Sequence, residues 1–184
     1  MCGSGTIIIE AALIAYNIPA NIFRKKFSFE NWKDFDEKLW KKIKDKSLDK
    51  EVEYNGIISG SDNCTKSLNI CERNIQNSLL DDKIKIKKSN FFKKEINKNT
   101  FVIFNPPYGE RIKIRDKEFY SNIGTTLKHN YLNSEIWIIS SDIENMKFIG
   151  LKPTTKFKII NSNLECSFRQ YLIYSGSKKQ KNSE

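Results

Sequence analysis

The chain of 184 residues, with 39% hydrophobic residues and a formal net charge of +10, has the length and composition of a single globular domain. No apolar run approaches the roughly 20 residues of a membrane-spanning helix, which argues against a membrane protein. A single histidine and four cysteines without CxxC spacing are too few for a zinc site or a histidine-dependent nucleophile, so no metal is predicted.

Helix and strand patterns alternate along the chain. The first helix is predicted at residues 6–16, and an aromatic, charged insertion follows at about 18–55, within which residues 35–46 have amphipathic spacing. Further helices are predicted at 64–77, 117–131 and 142–148, and strands at 56–60, 84–88, 101–104 and 136–139. Two β-rich runs at 157–160 and 168–174 suit an antiparallel hairpin at a sheet edge. This alternation predicts a mostly parallel α/β sheet with helices on both faces.

A glycine-rich turn, Cys-Gly-Ser-Gly-Thr at residues 2–6, precedes the first helix. It is not a P-loop, because no Gly-Lys-Ser/Thr follows, and Ile8 occupies the third glycine position of a dinucleotide fingerprint. Such a turn lets a ligand approach the backbone N–H groups at a helix N-terminus, although a purely structural turn is an equal alternative. Asp62, at the end of the next strand, favours a ligand because a carboxylate there can accept both hydroxyls of a ribose.

The tetrapeptide Asn105-Pro106-Pro107-Tyr108 directly follows the apolar run 101–104, where a buried strand would end. Proline fixes φ and removes a backbone donor, so a rigid loop is predicted that presents an amide, a carbonyl and a ring. In an open α/β sheet, ligands bind at this carboxyl edge of the strands.

The basic composition favours an anionic partner, and nucleic acid is the class that we prefer. Residues 177–184 form a polar, lysine-containing tail that is predicted to be disordered. The scattered cysteines suggest reduced thiols and therefore a cytoplasmic protein.

In this order, these motifs resemble those of class I S-adenosylmethionine-dependent methyltransferases. The closest resemblance is to the catalytic domain of the THUMP-containing rRNA guanine-N2 methyltransferases, which are often catalogued as predicted N6-adenine-specific DNA methylases. The stretches concerned are 1–6, 9–12, 29–32, 60–62, 105–111 and 163–166. The resemblance implies a Rossmann-like class I methyltransferase sheet over residues 1–176, with an antiparallel C-terminal edge hairpin, and S-adenosylmethionine as the cofactor.

The resemblance also implies roles for individual residues. Those that would contact the cofactor are Cys2, Gly3, Gly5, Thr6, Asp62, Asn90 and Asn105. Asn90 stands where the family has an acid that binds the adenine amino group; it can accept that hydrogen bond without the charge, and a plain turn residue is the alternative. Substrate contacts would come from Pro107, Tyr108 and Arg111, with bracing of the loop an equal alternative for Arg111.

The predicted chemistry is methyl transfer to an exocyclic amine, whose lone pair is delocalised into the ring of the base. The Asn105 side-chain oxygen and the Pro106 carbonyl would accept hydrogen bonds from the amine and favour its pyramidal form, while Tyr108 stacks on a flipped base. These three residues are the predicted catalytic group. No histidine base is required.

The family has a central first strand and a THUMP domain before the glycine turn, whereas this chain begins inside the motif. We therefore expect a C-terminal piece of a longer protein that is unstable or inactive alone. The leading function is guanine-N2 methylation of 23S-type large-subunit rRNA. Adenine-N6 methylation of DNA is the nearest alternative, glutamine-N5 methylation of a protein is a more distant one, and an inactive RNA-binding remnant is the non-enzyme alternative.

Overall fold

The computed structural model describes residues 1–22, 24–94, 96, 99–107 and 117–175. The chain forms two compact units, one of Cys2–Lys88 and one of Met1 together with the residues from Ser89 onward. The predicted tail at 177–184 lies outside the described residues.

The first unit, Cys2–Lys88, consists of helices around a two-stranded parallel sheet. In chain order its elements are α1 (Thr6–Ala15), a 3₁₀ helix (Ser28–Asn31), α2 (Glu37–Leu48), β1 (Ile58–Asp62), α3 (Thr65–Asn77) and β2 (Ile84–Lys88). The pairing of β1 with β2 runs from Ile58 opposite Ile84 to Asp62 opposite Lys88. Strand β1 lies two residues later than predicted, which places Asp62 inside the strand as its last residue.

The core of the first unit follows from helical periodicity. Leu68, Cys71 and Ile75 are buried on α3 at spacings of three and four residues, as the sequence predicts. Their neighbours from the other elements include Ile8, Ala12 and Leu13 of α1, Leu80, and Ile84 of β2. This packing holds the start of α1, and hence the glycine turn, against α3.

The second unit contains a four-stranded sheet in the order β3-β4-β6-β5. Its elements are a 3₁₀ helix (Phe91–Lys93), β3 (Phe101–Phe104), α4 (Lys117–Asn130), β4 (Ser134–Ser140), a 3₁₀ helix (Asn145–Ile149), β5 (Thr155–Asn161) and β6 (Leu164–Ile173). Strands β3 and β4 pair in parallel, and β6 is antiparallel to both β4 and β5. The predicted α/β fold, with parallel strands and an antiparallel hairpin at its C-terminal edge, is therefore confirmed.

The predicted short helix at 142–148 is present as a 3₁₀ helix at Asn145–Ile149, which starts three residues later than predicted. The Asp142 side chain accepts a hydrogen bond from the Asn145 backbone N–H at 3.3 Å, as a residue that caps a helix N-terminus does. Gly150 then ends it in the left-handed region at φ 64°. A β-carbon on Gly124 of α4 would collide with the Ile149 carbonyl, so the helix and this turn approach each other at backbone distance.

Within the described residues, no helix combines the length and the apolar character that crossing a membrane requires.

Candidate functional site

The glycine turn before α1 depends on two glycines with left-handed backbones. Gly3 has φ 55° and Gly5, the N-cap of α1, has φ 87°. A β-carbon on Gly5 would lie 2.5 Å from the Cys71 sulfur, whereas one on Gly3 would meet no atom within 4 Å. Gly5 is therefore required both by its backbone and by packing, while the space beside Gly3 is open to a ligand.

The Asp62 carboxylate joins this turn to the end of β1. Its Oδ2 accepts a hydrogen bond from the Gly3 backbone N–H at 3.0 Å, and its Oδ1 accepts one from Cys64 N–H at 2.9 Å. A second link is the Cys2 backbone N–H, which donates to the Ser61 carbonyl at 2.9 Å. The structure thus brings Cys2, Gly3 and Asp62 together as the sequence indicates, although their role toward a cofactor stays a prediction.

The turn offers two kinds of recognition at once. The first amides of an α-helix have no partner within the helix, and α1 has no acidic residue in its first turn, so this end favours an anionic group. A carboxylate oxygen can accept more than one hydrogen bond, which is the chemistry that binding of ribose hydroxyls requires. Thr6 opens the helix as an exposed residue, with its Oγ1 3.4 Å from the Ser4 hydroxyl.

The two cysteines of this region are neutral thiols. Burial raises the pKa of the Cys2 thiol, and it raises that of Cys71 to about 12. A thiol rather than a thiolate is the form that packs beside Gly5, so neither cysteine has the character of a nucleophile near neutral pH.

Asn90 has a structural role in the second unit. Its side-chain oxygen accepts a hydrogen bond from the Phe92 backbone N–H at 2.9 Å and thereby caps the 3₁₀ helix Phe91–Lys93. This geometry is that of a plain turn residue, which is the alternative to cofactor binding that the sequence allows for Asn90. The amide also has a second lone pair and two N–H donors, and its contact with a cofactor stays a prediction.

The end of β3 places an unusual acceptor at the carboxyl edge of the sheet. Asn105 follows Phe104, which pairs in parallel register with Ile138 of β4. The Asn105 side-chain oxygen is buried and has no hydrogen-bond partner among the described residues. Pro106 behind it is fully buried, and Pro107 is exposed. An unsatisfied buried acceptor costs about 1–3 kcal/mol, so its presence here calls for a ligand that donates.

The remaining predicted loop residues, Tyr108 and Arg111, lie outside the described residues, as does all of 108–116. Among the described residues there is no cluster of histidine, cysteine and acidic side chains that could hold a metal ion.

A buried polar group at the carboxyl end of β4 was missed by sequence reasoning. The Tyr120 hydroxyl lies 2.9 Å from Ser140 Oγ, which also accepts from the Asp142 backbone N–H at 3.0 Å. Arg169 of β6 is only 8% exposed and donates to the Ser167 hydroxyl at 3.0 Å. These contacts fix the chain where it leaves β4. The one available signal was an arginine inside an apolar β run.

Solved structures resemble this chain over nearly its whole length. A possible methylase from Clostridium difficile 630 is 30% identical, with a TM-score of 0.84 over 97% of this chain and 48% of that one. SMU.472, a putative methyltransferase complexed with SAH, is 28% identical, with a TM-score of 0.82 over 96% of this chain and 48% of that one. A predicted N6-adenine-specific DNA methylase from Listeria monocytogenes str. 4b F2365 is 26% identical, with a TM-score of 0.79 over 94% and 45%.

Curated relatives share this similarity at the sequence level. Ribosomal RNA large subunit methyltransferase K/L of Shewanella sediminis is 30% identical over 181 residues, which are 95% of this chain and 26% of the relative. The protein of that name from Shewanella amazonensis is 30% identical over 186 residues, 97% of this chain and 26% of the relative. The chain thus spans about a quarter of the length of these relatives.

The family model UPF0020, described as "RMKL-like, methyltransferase domain", matches residues 1–170. This match includes the glycine turn, Asp62, Asn90 and the loop after β3. The chain therefore belongs to the RMKL-like methyltransferase domain family.

Proposed function

We propose that this protein transfers a methyl group from S-adenosylmethionine to the exocyclic N2 amine of guanine in large-subunit rRNA. The observation that supports it most directly is the buried Asn105 oxygen, which has no partner among the described residues. An amine that donates to this oxygen would remove the cost of leaving it unsatisfied. A planar NH₂ group is the donor that we propose for this place.

The first unit fits the cofactor in the arrangement of its polar groups. The carboxylate of a methionine moiety suits the N-terminus of α1, and the open space beside Gly3 allows its close approach. Asp62 is already oriented by the backbone amides of Gly3 and Cys64, and a carboxylate in this place would accept hydrogen bonds from ribose hydroxyls. SMU.472, at 28% identity, was solved with SAH, which supports this assignment. Cys2, Thr6, Asn90 and Asn105 complete the proposed cofactor contacts.

When bound, S-adenosylmethionine supplies an electrophilic methyl group on a sulfonium. Asn105 Oδ1 and the Pro106 carbonyl would accept hydrogen bonds from the two N–H groups of the amine and so direct the nitrogen lone pair out of the plane of the base. Because Pro106 is fully buried and its φ is fixed by the ring, these acceptors need little reorganisation in the transition state. Tyr108 would stack on the base, with Pro107 and Arg111 as further substrate contacts.

Ribosomal RNA as the substrate is supported by the net charge of +10 and by the curated relatives named for large-subunit rRNA. Such a substrate implies a cytoplasmic protein, where the four free cysteines would remain thiols. The relatives are about four times longer, and we propose that a THUMP domain acts with this chain in binding RNA.

Methylation of adenine N6 in DNA is a second candidate. The specific observation in its favour is the Listeria monocytogenes relative described as a predicted N6-adenine-specific DNA methylase, with its TM-score of 0.79. The acceptor pair at Asn105 and Pro106 can serve the amine of either base.

Nucleoside analysis separates the two candidates. Two proteins are compared: the chain by itself, and the chain fused behind the upstream segment of the Clostridium difficile homologue. Each is incubated with methyl-labelled S-adenosylmethionine and either unmodified rRNA or DNA. Labelled N2-methylguanosine from rRNA, lost in an Asn105→Ala variant, is the expected result. Label only in N6-methyladenine of DNA supports the second candidate, and no label in either nucleic acid contradicts methyl transfer to a base.

A further inference from the structure

The segment 24–50 of the first unit, here called the aromatic–lysine surface, is unusually open for a segment so rich in rings. None of its residues is fully buried, including those of α2. It has ten Lys or Arg against six Asp or Glu. Within the described part of the chain, none of these cations forms an ion pair with a carboxylate. The surface therefore has positive charge that the protein itself does not neutralise.

The rings of this surface form one cluster around Phe29. Its ring centroid lies 5.0 Å from that of Trp40, 5.2 Å from Phe27, 6.0 Å from Phe35 and 6.2 Å from Trp32. Trp32 differs from the other four, because it is 67% exposed while they are half-buried. The cluster stabilises the segment, and Trp32 leaves most of its indole in solvent.

The backbone holds Trp32 in place. Its N–H donates to the Phe29 carbonyl at 3.0 Å, and its carbonyl accepts from Phe35 N–H at 3.2 Å. An exposed aromatic ring on an ordered backbone loses little conformational entropy when a flat ligand stacks on it.

Helix α2 has one side toward the rest of the first unit and one side toward solvent. A small cavity of about 60 Å³ marks the inner side; it is lined by Trp40, Ile43, Lys44 and Ser47 of α2 and by Pro19, Ala20, Ile22 and Phe27. Successive helical residues are 100° apart, which places Lys38 and Lys42 on the opposite side of the helix and Lys41 on its flank, outside the cavity. All three are exposed.

We propose that the aromatic–lysine surface binds single-stranded RNA, with the Trp32 indole stacked on an unpaired base and Lys38, Lys41 and Lys42 against phosphates. Stacking requires a base outside a duplex, and proteins bind single strands by combining exposed aromatic rings with cations along the strand. The inference rests on the proposed function for its choice of RNA as the polyanion. It adds an RNA contact at a surface separate in sequence from the Asn105 loop.

The test measures the affinity of the 184-residue chain for a fluorescently labelled 12-nucleotide single-stranded RNA at several salt concentrations. Replacing Lys38, Lys41 and Lys42 by glutamine is expected to reduce the slope of log affinity against log salt by about 2. The matched control replaces the exposed Lys152, Lys156 and Lys158 by glutamine and changes neither the slope nor the affinity. Trp32→Ala is expected to weaken binding about tenfold with an unchanged slope, and Trp32→Phe to retain most of it.

Circular dichroism establishes that each variant is folded. Equal losses in the two lysine triples, unchanged affinity in Trp32→Ala, or binding to anionic lipid vesicles in preference to RNA would each overturn the proposal. Calorimetry with S-adenosylhomocysteine distinguishes this failure from that of the proposed function. If the cofactor binds but the variants keep the original RNA affinity, only the RNA-binding role of the aromatic–lysine surface is rejected. If the variants lose RNA affinity as expected but no cofactor binds, only the proposed methyltransferase function is rejected.

Discussion

The Gly3 backbone N–H donates a 3.0 Å hydrogen bond to Oδ2 of Asp62, 59 residues later in the chain. The Cys64 N–H donates to Oδ1 of the same carboxylate. Asp62 therefore accepts hydrogen bonds from the backbone just before α1 and just after β1. The side chain that we assign to ribose binding is thus also the one that shapes the turn.

Replacing Asp62 by asparagine is expected to lower both stability and cofactor affinity. The amide NH₂ would face one of the two backbone donors, which loses a hydrogen bond worth about 1–3 kcal/mol. Thermal unfolding and calorimetric titration with S-adenosylhomocysteine measure the two effects. The matched control is Asp36→Asn, because Asp36 accepts only one N–H, from Leu39, and asparagine caps helices equally well. Equal stability losses in the two variants would contradict the double role of Asp62.

Asn105 and Asn90 are expected to respond in opposite ways to alanine. Asn105→Ala removes an unsatisfied buried acceptor, so the free energy of unfolding stays within about 1 kcal/mol of the original while methyl transfer falls about 100-fold or more. Asn90→Ala removes the cap on Phe92 N–H and lowers stability by about 0.5–2 kcal/mol. Chemical denaturation and methyl-transfer rates decide the matter. A large loss of stability in Asn105→Ala would indicate that this side chain has a partner in the protein.

Gly5→Ala is expected to destabilise the chain more than Gly3→Ala. Each change places alanine in the left-handed region, which costs about 1–2 kcal/mol. Only the β-carbon of Gly5→Ala would also clash with the Cys71 sulfur. Combining Gly5→Ala with Cys71→Ala removes that sulfur, so the two changes should couple favourably by more than about 0.5 kcal/mol. Denaturation of the two single variants and the double variant gives the coupling energy, and additive effects would exclude steric conflict as the cause.

Thiol labelling at pH 8 is expected to modify Cys64 first. A hydrogen bond from the Ser67 side chain lowers the pKa of this exposed thiol, so more of it is the reactive thiolate at a given pH. Burial raises the pKa of the Cys71 thiol to about 12. The rate of Cys71 labelling should therefore be low at pH 8 and increase only as the pH approaches that value. Mass spectrometry of the labelled peptides measures the order, with Cys64→Ser as control. Early modification of Cys71 would mean that the region around Gly5 opens readily.

Local patterns were sufficient to predict most of the framework. Strands β2 and β3 have the predicted bounds because short β-rich runs end at turn residues, and α3 follows from the spacing of Leu68, Cys71 and Ile75. The proximity of the glycine turn to Asp62 followed from the rule that ligands bind where strands end.

Side-chain hydrogen bonds explain what the patterns missed. Asp142 accepts a hydrogen bond from the first N–H of the 3₁₀ helix at Asn145, and the turn role of Asn90 depends on Phe92 N–H. The Tyr120 hydroxyl contacts Ser140, and Arg169 donates to the Ile143 carbonyl at 3.5 Å; both contacts join residues distant in sequence, so no local spacing could indicate them. Periodicity predicts burial, whereas specific polar partners become apparent only after the chain has folded.

The difference in loop length between two contacts suggests an order of assembly. Strands β5 and β6 meet across the two residues Ser162 and Asn163, so their hairpin closes a short loop. The Gly3–Asp62 hydrogen bond closes a loop of 59 residues, which has a larger entropic cost than the hairpin loop. We expect the hairpin to form early in folding and the glycine turn late. In native-state hydrogen exchange the Gly3 amide should therefore be among the first of the hydrogen-bonded amides to open.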